Sequence, residues 1–339
     1  MRDRVKDQQT AAQGSKTYMK TGRISDVIYK RSVTDRLQRQ RAGTPLPDRQ
    51  VDIKLFSGCF CGHYRDAGVR AVIYASNKAF AAGMKPQAMS LQLTVSERVS
   101  EKKVSDIVAD AERFCMDVCD DLLDNVSVFV DGDIENPCGV VANAVCAAKD
   151  CGDHRPEYAP ESGAEIVLTG WIAMDEASDI AFRHREELLT RLPAGMVDRV
   201  SGGVSDLSVA KTSREIAEYS ANTGTSVFMH PVAEEGILCA LRDMGERAGL
   251  GLRADGRSIQ MLQEIVEVCE FFDIDPYRMA SAGCLLTAVK DGEGLAEYLL
   301  ERGTRACVIG EFTADNDRVI LMDEEYRYLE PYRGGRITV

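Results

Sequence analysis

Strand-like and helix-like segments alternate along the first half of this chain, and the second half repeats the alternation. In the first half, apolar residues recur at helical spacing over residues 67–83 and 101–123, and β-branched runs predict strands at 89–95, 126–130 and 140–146. The second half is predicted to contain strands at 165–169, 226–229, 250–253, 284–289 and 306–309, and helices at 175–192, 212–222, 234–248, 258–272 and 292–302. Such alternation in two similar halves predicts an α/β fold, of the α+β sandwich type.

A length of 339 residues favours two domains. A Gly- and Pro-containing stretch near the middle of the chain is typical of an inter-domain linker. The predicted segments are a disordered lead (1–18), an N-terminal domain (19–150), the linker (151–162), a C-terminal α/β domain (163–330) and a tail (331–339).

Composition excludes several classes of function. A formal net charge of -13 argues against wide contact with nucleic acid, whose phosphates attract basic proteins. No run of eighteen apolar residues predicts a membrane span, and no apolar signal sequence begins the chain. We therefore expect a cytoplasmic protein, in which the eleven cysteines are first interpreted as reduced thiols.

Three segments carry a resemblance to a known superfamily. They are residues 19–33, with Met-Lys-Thr-Gly-Arg-Ile and Lys-Arg-Ser-Val; residues 71–86, with Ala-Ser-Asn-Lys-Ala before Gly83 and Pro86; and residues 229–241, with Met-His-Pro-Val-Ala-Glu-Glu-Gly. In order and spacing they resemble the superfamily of aminoimidazole ribonucleotide (AIR) synthetase, thiamine-monophosphate kinase and selenophosphate synthetase. The match is nearest to the branch of the hydrogenase maturation factors.

The resemblance implies a fold and a ligand. It implies that the N-terminal domains of two copies pair into a barrel, so that the protein is a homodimer, and that ATP with Mg²⁺ lies along this barrel. The C-terminal domain would close over the phosphates. The matching positions implied to bind the cofactor are Asn77, Lys78, Gly83, Asp131, Gly132, Asp133, Glu135, Glu235 and Gly236.

The chain departs from the superfamily pattern at the residues that serve the metal and phosphates. Lys78 stands where the family helix has an Asp, and Pro231 replaces the Asp after His230. Asp131 adds a negative charge to a turn that phosphate would approach. Two like unit charges about 4 Å apart cost roughly 4 kcal/mol near a protein surface, so several such changes disfavour Mg-ATP.

Two further groups are candidates for chemistry. His230 and Glu234 lie between a predicted strand and helix and are the candidate catalytic residues, although a structural histidine and a helix-start carboxylate explain them equally. Cys59, Cys61 and His63 supply soft ligands for zinc or iron. The alternatives are a Gly-bounded loop with incidental thiols, or a reactive thiol pair.

Two functions remain open at this stage. The first is a dimeric binding or assembly protein, AIR-synthase-related and similar to hydrogenase maturation factors, with a remodelled and possibly degenerate Mg-ATP site. The second is an active ATP-dependent enzyme of metallocofactor maturation or phosphoryl transfer, with a protein partner in metalloenzyme assembly. The hydrogenase factor carries its product on a C-terminal cysteine, and the sequence 333–339 contains none, so we do not expect its cyanide-group chemistry here.

Overall fold

The computed structural model of the chain describes residues 26–31, 53–119, 123–150 and 159–332. The chain divides into two units, and the described part of the first contains a short helix, α1 (Asp26–Tyr29). All other elements belong to the second unit, residues 47–331. The predicted lead and tail, apart from residues 331 and 332, and residues 151–158 of the predicted linker lie outside the described residues.

Residues 53–150 form a four-stranded sheet with two helices. The elements are β1 (Ile53–His63), α2 (Ala67–Ala81), β2 (Met84–Ser96), α3 (Glu101–Cys119), β3 (Leu123–Asp131) and β4 (Gly139–Asp150). The strand order is β1-β4-β2-β3, in which β2 and β3 are parallel and the other neighbours are antiparallel. Every second residue of β4 from Val140 to Ala148 is buried, because strand side chains alternate between faces and α2 covers one of them.

A glycine explains why a helix can lie so close to strand β1. A Cβ atom on Gly58 would meet the backbone carbonyl oxygen of Ala71, in α2, at 2.4 Å. Residues 59–63, interpretable from sequence as a Gly-bounded loop, are instead strand residues paired with β4, so that interpretation is wrong. The glycine marks close approach of a helix and not a turn.

Residues 165–328 form a mixed seven-stranded sheet in the order β11-β10-β7-β9-β5-β8-β6. Its strands are β5 (Glu165–Thr169), β6 (Phe228–Pro231), β7 (Gly251–Asp255), β8 (Leu285–Val289), β9 (Ala306–Thr313), β10 (Arg318–Met322) and β11 (Glu325–Tyr328). Its helices are α4 (Met174–Arg183), α5 (Arg185–Leu188), α6 (Ala194–Ser201), α7 (Ala210–Thr223), α8 (Gly236–Ala248), α9 (Gln263–Phe272) and α10 (Gly292–Glu301).

Both faces of the seven-stranded sheet are covered. Ile166 and Leu168 of β5 pack on one face into a core with α8, and Val167 packs on the other face with α7 and α10. Phe80, near the end of α2, is part of this second core. The first sheet's helix therefore packs directly into the second sheet's core.

The predicted α/β class is confirmed, but some predicted elements differ. Strands β1, β10 and β11 and helix α6 were not predicted from the pattern. The predicted helix at 258–272 begins later than expected, because Ser258 ends a short 3-10 turn and α9 begins at Gln263. The two sheets lie on either side of the predicted linker at 151–162, but a domain boundary there stays a prediction.

A buried ion pair joins α2 to α4. The guanidinium of Arg70 contacts the carboxylate of Asp175, and both side chains are at most 3 % exposed. Arg70 also donates to the Ser178 hydroxyl at 2.7 Å, and the Tyr74 hydroxyl donates to Asp175 at 2.7 Å. Burial and the charge of Asp175 raise the pKa of Tyr74 well above its ordinary value, so its hydroxyl remains a donor.

We expect Asp175→Asn to lower the free energy of unfolding by about 3–5 kcal/mol, because it leaves the Arg70 charge buried without its partner. Urea unfolding followed by circular dichroism measures the change. The matched control is Asp323→Asn, which removes an exposed pair with Arg327 at 3.3 Å and should cost less than about 1 kcal/mol. Equal effects of the two variants would contradict this role for Arg70 and Asp175.

Candidate functional site

Helix α2 presents Asn77 and Lys78 in different surroundings. The Asn77 side chain is buried, donates to the Leu207 carbonyl oxygen at 2.8 Å and accepts from the Val209 backbone N–H at 3.0 Å. These bonds hold residues 207–209 against α2. Gly83 follows the end of the same helix with a φ of 69°, a backbone conformation that favours glycine.

Lys78 directs its ammonium group to the edge strand β1. Its Nζ donates to the backbone carbonyl oxygen of Ser57 at 2.9 Å. A cation is therefore fixed at the position where the family pattern places a metal-binding carboxylate.

Lys78 and Glu234 lie near enough to Cys59 of β1 for their charges to shift its pKa, and we call these three residues the β1-edge cluster. Burial raises the pKa of the Cys59 thiol, Cys61 and Glu234 raise it further, and Lys78 lowers it. Because the net direction is upward, Cys59 is a protonated thiol at neutral pH and a weak nucleophile. The cluster thus combines one thiol, one ammonium and one carboxylate.

The predicted three-ligand metal site at Cys59, Cys61 and His63 is not assembled in the chain. The three residues share one face of β1, but Cys59 and His63 are four residues apart, or about 13 Å along a strand. The His63 ring lies against Tyr64 and Phe182, and its Nδ1 accepts from the Arg65 N–H at 3.1 Å. Across the described residues, no group of three His, Cys, Asp or Glu side chains could hold a metal ion.

The predicted phosphate turn lies far from Lys78. Asp131, Gly132, Asp133 and Glu135 follow β3, at the end of the sheet where His63 pairs with Gly139. Ser57, which Lys78 contacts, is six residues from that end, or about 20 Å. The Asp131 carboxylate accepts from the Asp133 N–H at 2.9 Å and so stabilises its own turn. The predicted cofactor residues of the first domain therefore form two separate groups.

The loop before α8 contributes Glu234, Glu235 and Gly236. Glu235 is the residue before the first turn of α8, and Gly236 has a φ of 77°. A Cβ atom on Gly236 would meet the Tyr277 carbonyl oxygen at 2.6 Å, so packing alone requires glycine here. Glu234 lies near enough to α2 and β1 for its charge to raise the pKa of Tyr74 and of Cys59.

His230 is engaged by an arginine. Its Nδ1 lies 2.8 Å from Nη1 of Arg247, and the Arg247 guanidinium lies over the Phe228 ring at 5.0 Å. Burial, with a further contribution from Arg247, lowers the pKa of His230 to about 3. His230 is therefore neutral at physiological pH and accepts a hydrogen bond from Arg247.

Sequence reasoning missed the polar groups beneath the β1-edge cluster. Arg70 and Tyr74 are four residues apart on α2, a spacing that places both on one helix face. That spacing was visible in the sequence, but their partner Asp175 is about a hundred residues away, and periodicity does not reveal such pairs.

Comparison with known proteins now identifies the fold. Residues 196–322 match the family described as AIR synthase related protein, C-terminal domain. A putative hydrogenase expression/formation protein of Methanocaldococcus jannaschii is 22% identical over 264 residues, which cover 76% of this chain and 73% of that protein. Residues 196–322 are therefore identified as an AIR-synthase-related C-terminal domain.

Other relatives of the chain carry the name HypE. The carbamoyl dehydratase HypE of Rhizobium leguminosarum bv. viciae is 28% identical over 128 residues, or 36% of this chain, and the match spans about a third of that protein, 35%. A crystal structure of E. coli HypE superposes with a TM-score of 0.66 at 15% identity, covering 88% of this chain and 96% of that chain.

Two further crystal structures have the same fold. A HypE-HypF complex gives a TM-score of 0.65 at 15% identity, covering 88% of this chain and 99% of that chain. A crystal structure of HypE in complex with ATP gives a TM-score of 0.59 at 14% identity, covering 93% of this chain and 96% of that chain. At these identities the likeness is one of fold. Within the described part of the chain, no helix is both long and apolar enough to cross a membrane.

The low pKa of His230 predicts acid sensitivity. Between pH 6.5, its ordinary pKa, and about 3, its value in the folded chain, the unfolded chain binds a proton that the folded chain does not. This contribution to stability is present above pH 6.5 and is lost as the pH falls, at up to about 1.4 kcal/mol per pH unit.

We expect His230→Gln to reduce the slope of unfolding free energy against pH between pH 6 and 4, as measured by urea titration. His184→Gln is the control, because that ring lies beside the exposed Glu187 at 3.3 Å. If the two variants retain the same slope as the unchanged chain, His230 does not titrate as described.

Proposed function

We propose that this chain is a dimeric binding or assembly protein, related to the hydrogenase maturation factors, whose nucleotide site is remodelled and no longer takes Mg-ATP. The observation that carries the proposal is the Lys78 ammonium, held 2.9 Å from the Ser57 carbonyl oxygen at the edge of β1. A fixed cation there opposes a divalent metal.

The residues around Lys78 do not fit magnesium. Mg²⁺ prefers octahedral oxygen ligands and is usually held by one or two carboxylates together with substrate phosphates. The β1-edge cluster offers one carboxylate, Glu234, beside an ammonium and the protonated thiol of Cys59. Thiols are soft ligands and suit zinc or copper better than magnesium.

The turn at Asp131 also supports loss of nucleotide binding. Asp133 and Glu135 are exposed there beside Asp131, so the turn carries three carboxylates. This turn would repel a triphosphate without a bound cation, since the repulsion between two like charges about 4 Å apart is roughly 4 kcal/mol near a protein surface.

We expect Mg-ATP at millimolar concentration to leave the thermal unfolding midpoint unchanged. A specific ligand at 100 times its Kd would add about 2.7 kcal/mol, which corresponds to a midpoint shift of a few degrees for a protein of this size. Differential scanning fluorimetry with and without EDTA measures the shift. A shift of that size that requires Mg²⁺ would overturn the proposal.

A single substitution tests whether Lys78 is responsible. Lys78→Asp restores the carboxylate of the family pattern and should increase the affinity for Mg-ATP by tenfold or more. The matched control is Lys85→Asp, which makes the same charge change at an exposed position of β2. If both variants behave like the unchanged chain, Lys78 is not the residue that excludes the metal.

The second candidate is an active ATP-dependent enzyme of metallocofactor maturation or phosphoryl transfer. Its support is the fold shared with the HypE that was solved in complex with ATP, together with Gly132 and Glu135, which keep the family pattern. Phosphate release from Mg-ATP, lost in Glu234→Gln, would favour it. The HypE-HypF complex supports a protein partner in metalloenzyme assembly under either candidate.

The dimer is proposed to form through the open face of the four-stranded sheet. Helices α2 and α3 cover one face of this sheet. On the opposite face, Ile53, Leu55, Phe129 and Val145 are between 41% and 71% exposed. Several exposed apolar side chains on one sheet face are typical of a protein interface, and a second copy would bury them.

We expect Leu55→Glu to shift the chain from dimer to monomer in sedimentation equilibrium, because it places a charge on this apolar face. Leu55 is 71% exposed, so the fold of one chain should be unaffected. Tyr328→Glu is the control, at a residue that is 69% exposed on strand β11 of the other sheet. A dimer that survives Leu55→Glu would contradict this interface.

A further inference from the structure

A cavity of about 420 Å³ opens at one end of the seven-stranded sheet. Its walls are the turn after β5, the segment from Ser205 to the first turns of α7, and the turns that precede β8 and β9. Glycines allow these turns to meet: a Cβ atom on Gly170 would lie 2.4 Å from the Gly283 carbonyl oxygen. Loops gathered at strand ends in this way are a common place for ligand binding.

Three basic side chains line this cavity: Lys211, Arg214 and Arg305. Lys211 is paired with Glu215 at 3.5 Å. Arg214 donates from Nε to the Ala210 carbonyl oxygen at 3.2 Å. Within the described residues, neither Arg214 nor Arg305 has a carboxylate partner, so their charges are not neutralised by the protein.

The wall formed by the turn after β5 is aromatic, because it contains Trp171. Arg305 lies over the Trp171 ring, with its guanidinium carbon 4.3 Å from the ring centroid, and also bonds to the Gln260 side chain. Stacking on an indole holds the guanidinium plane in one orientation. The N–H groups at its rim are then preorganised to donate to an oxyanion.

Helix α7 adds to the positive potential of the cavity. It begins at Ala210, whose N–H donates to the Ser208 hydroxyl at 3.3 Å, and Val209, the residue before the helix, provides no side-chain cap. Helix N-termini favour anions, and the hydroxyl-bearing Ser208 and Thr212 line the same wall. Two carboxylates, Asp117 and Asp206, also line the cavity, and Glu215 pairs with Lys211, so Arg214 and Arg305 are the cations that remain for a ligand.

We propose that this cavity is a binding site for a phosphate-bearing small molecule, with Arg214 and Arg305 as the ligands of the phosphate. Arginine suits this role because its planar fork donates two hydrogen bonds to one phosphate. In a chain of net charge -13, two cavity-lining arginines without a carboxylate partner among the described residues mark a place for an anion. The site goes beyond the proposed function, since it uses none of the β1-edge cluster.

The protein supplies its own reporter for this site. The chain contains one tryptophan, Trp171, which lines the cavity. Titration with inorganic phosphate, and separately with pyrophosphate, at ionic strength held constant with chloride should give a saturable change in tryptophan fluorescence. Equal changes with phosphate and with chloride alone, or no change together with no heat in calorimetry, would overturn the proposal.

Variants assign the binding to the arginines. Arg214→Gln, followed by fluorescence, and Arg305→Gln, followed by calorimetry because it alters the surroundings of Trp171, should each weaken phosphate binding at least tenfold. Arg327→Gln, at an exposed position of β11, should leave it unchanged. Equal affinity in all three variants would contradict the site.

A variant that binds phosphate more tightly cannot be explained by misfolding. Asp206→Asn removes an exposed carboxylate from the lining and should strengthen phosphate binding several-fold. Unchanged or weaker binding in Asp206→Asn would count against the proposal. Lys78→Asp should leave phosphate binding in the cavity unchanged. The test of the phosphate cavity and the test of the remodelled nucleotide site can therefore fail independently.

Discussion

The buried contact between Arg70 and Asp175 is the interaction on which the rest of the structure depends. It joins α2, which packs on the first sheet, to α4, which begins the helices of the second. An ion pair that is at most 3% exposed is stable only with close partners, here Tyr74 and Ser178. It therefore fixes the position of α2 and, through it, of Asn77 and Lys78.

The chemistry at the edge of β1 follows from that position. Because α2 is fixed, Lys78 meets the Ser57 carbonyl oxygen and places a positive charge beside the Cys59 thiol. One residue earlier, Asn77 binds the backbone on both sides of Ser208, which lines the proposed phosphate cavity. One turn of α2 thus supports two different surfaces, the β1-edge cluster and a wall of the cavity.

The sequence predicted most of the regular elements because burial imposes a period on them. Strand β5 and helix α8 pack an apolar face, so their patterns are strong. Strands β10 and β11 lie towards the sheet edge, where exposed Tyr326 and Tyr328 weaken the alternation. The position of Arg214 and Arg305 beside Trp171 was not predictable, because residues far apart in sequence meet there only through the fold.

The superfamily resemblance predicted the fold better than the chemistry, and the contacts explain why. Asn77 binds two backbone groups, Gly83 ends a helix, and Gly236 fits where a Cβ atom would meet a carbonyl oxygen at 2.6 Å. Each of these motif residues has a packing role in this chain. Lys78 and Pro231, by contrast, stand where the family pattern implies residues that serve the ligand. A motif can therefore keep the residues that build a site while losing those that bind its ligand, and only the second group reports function.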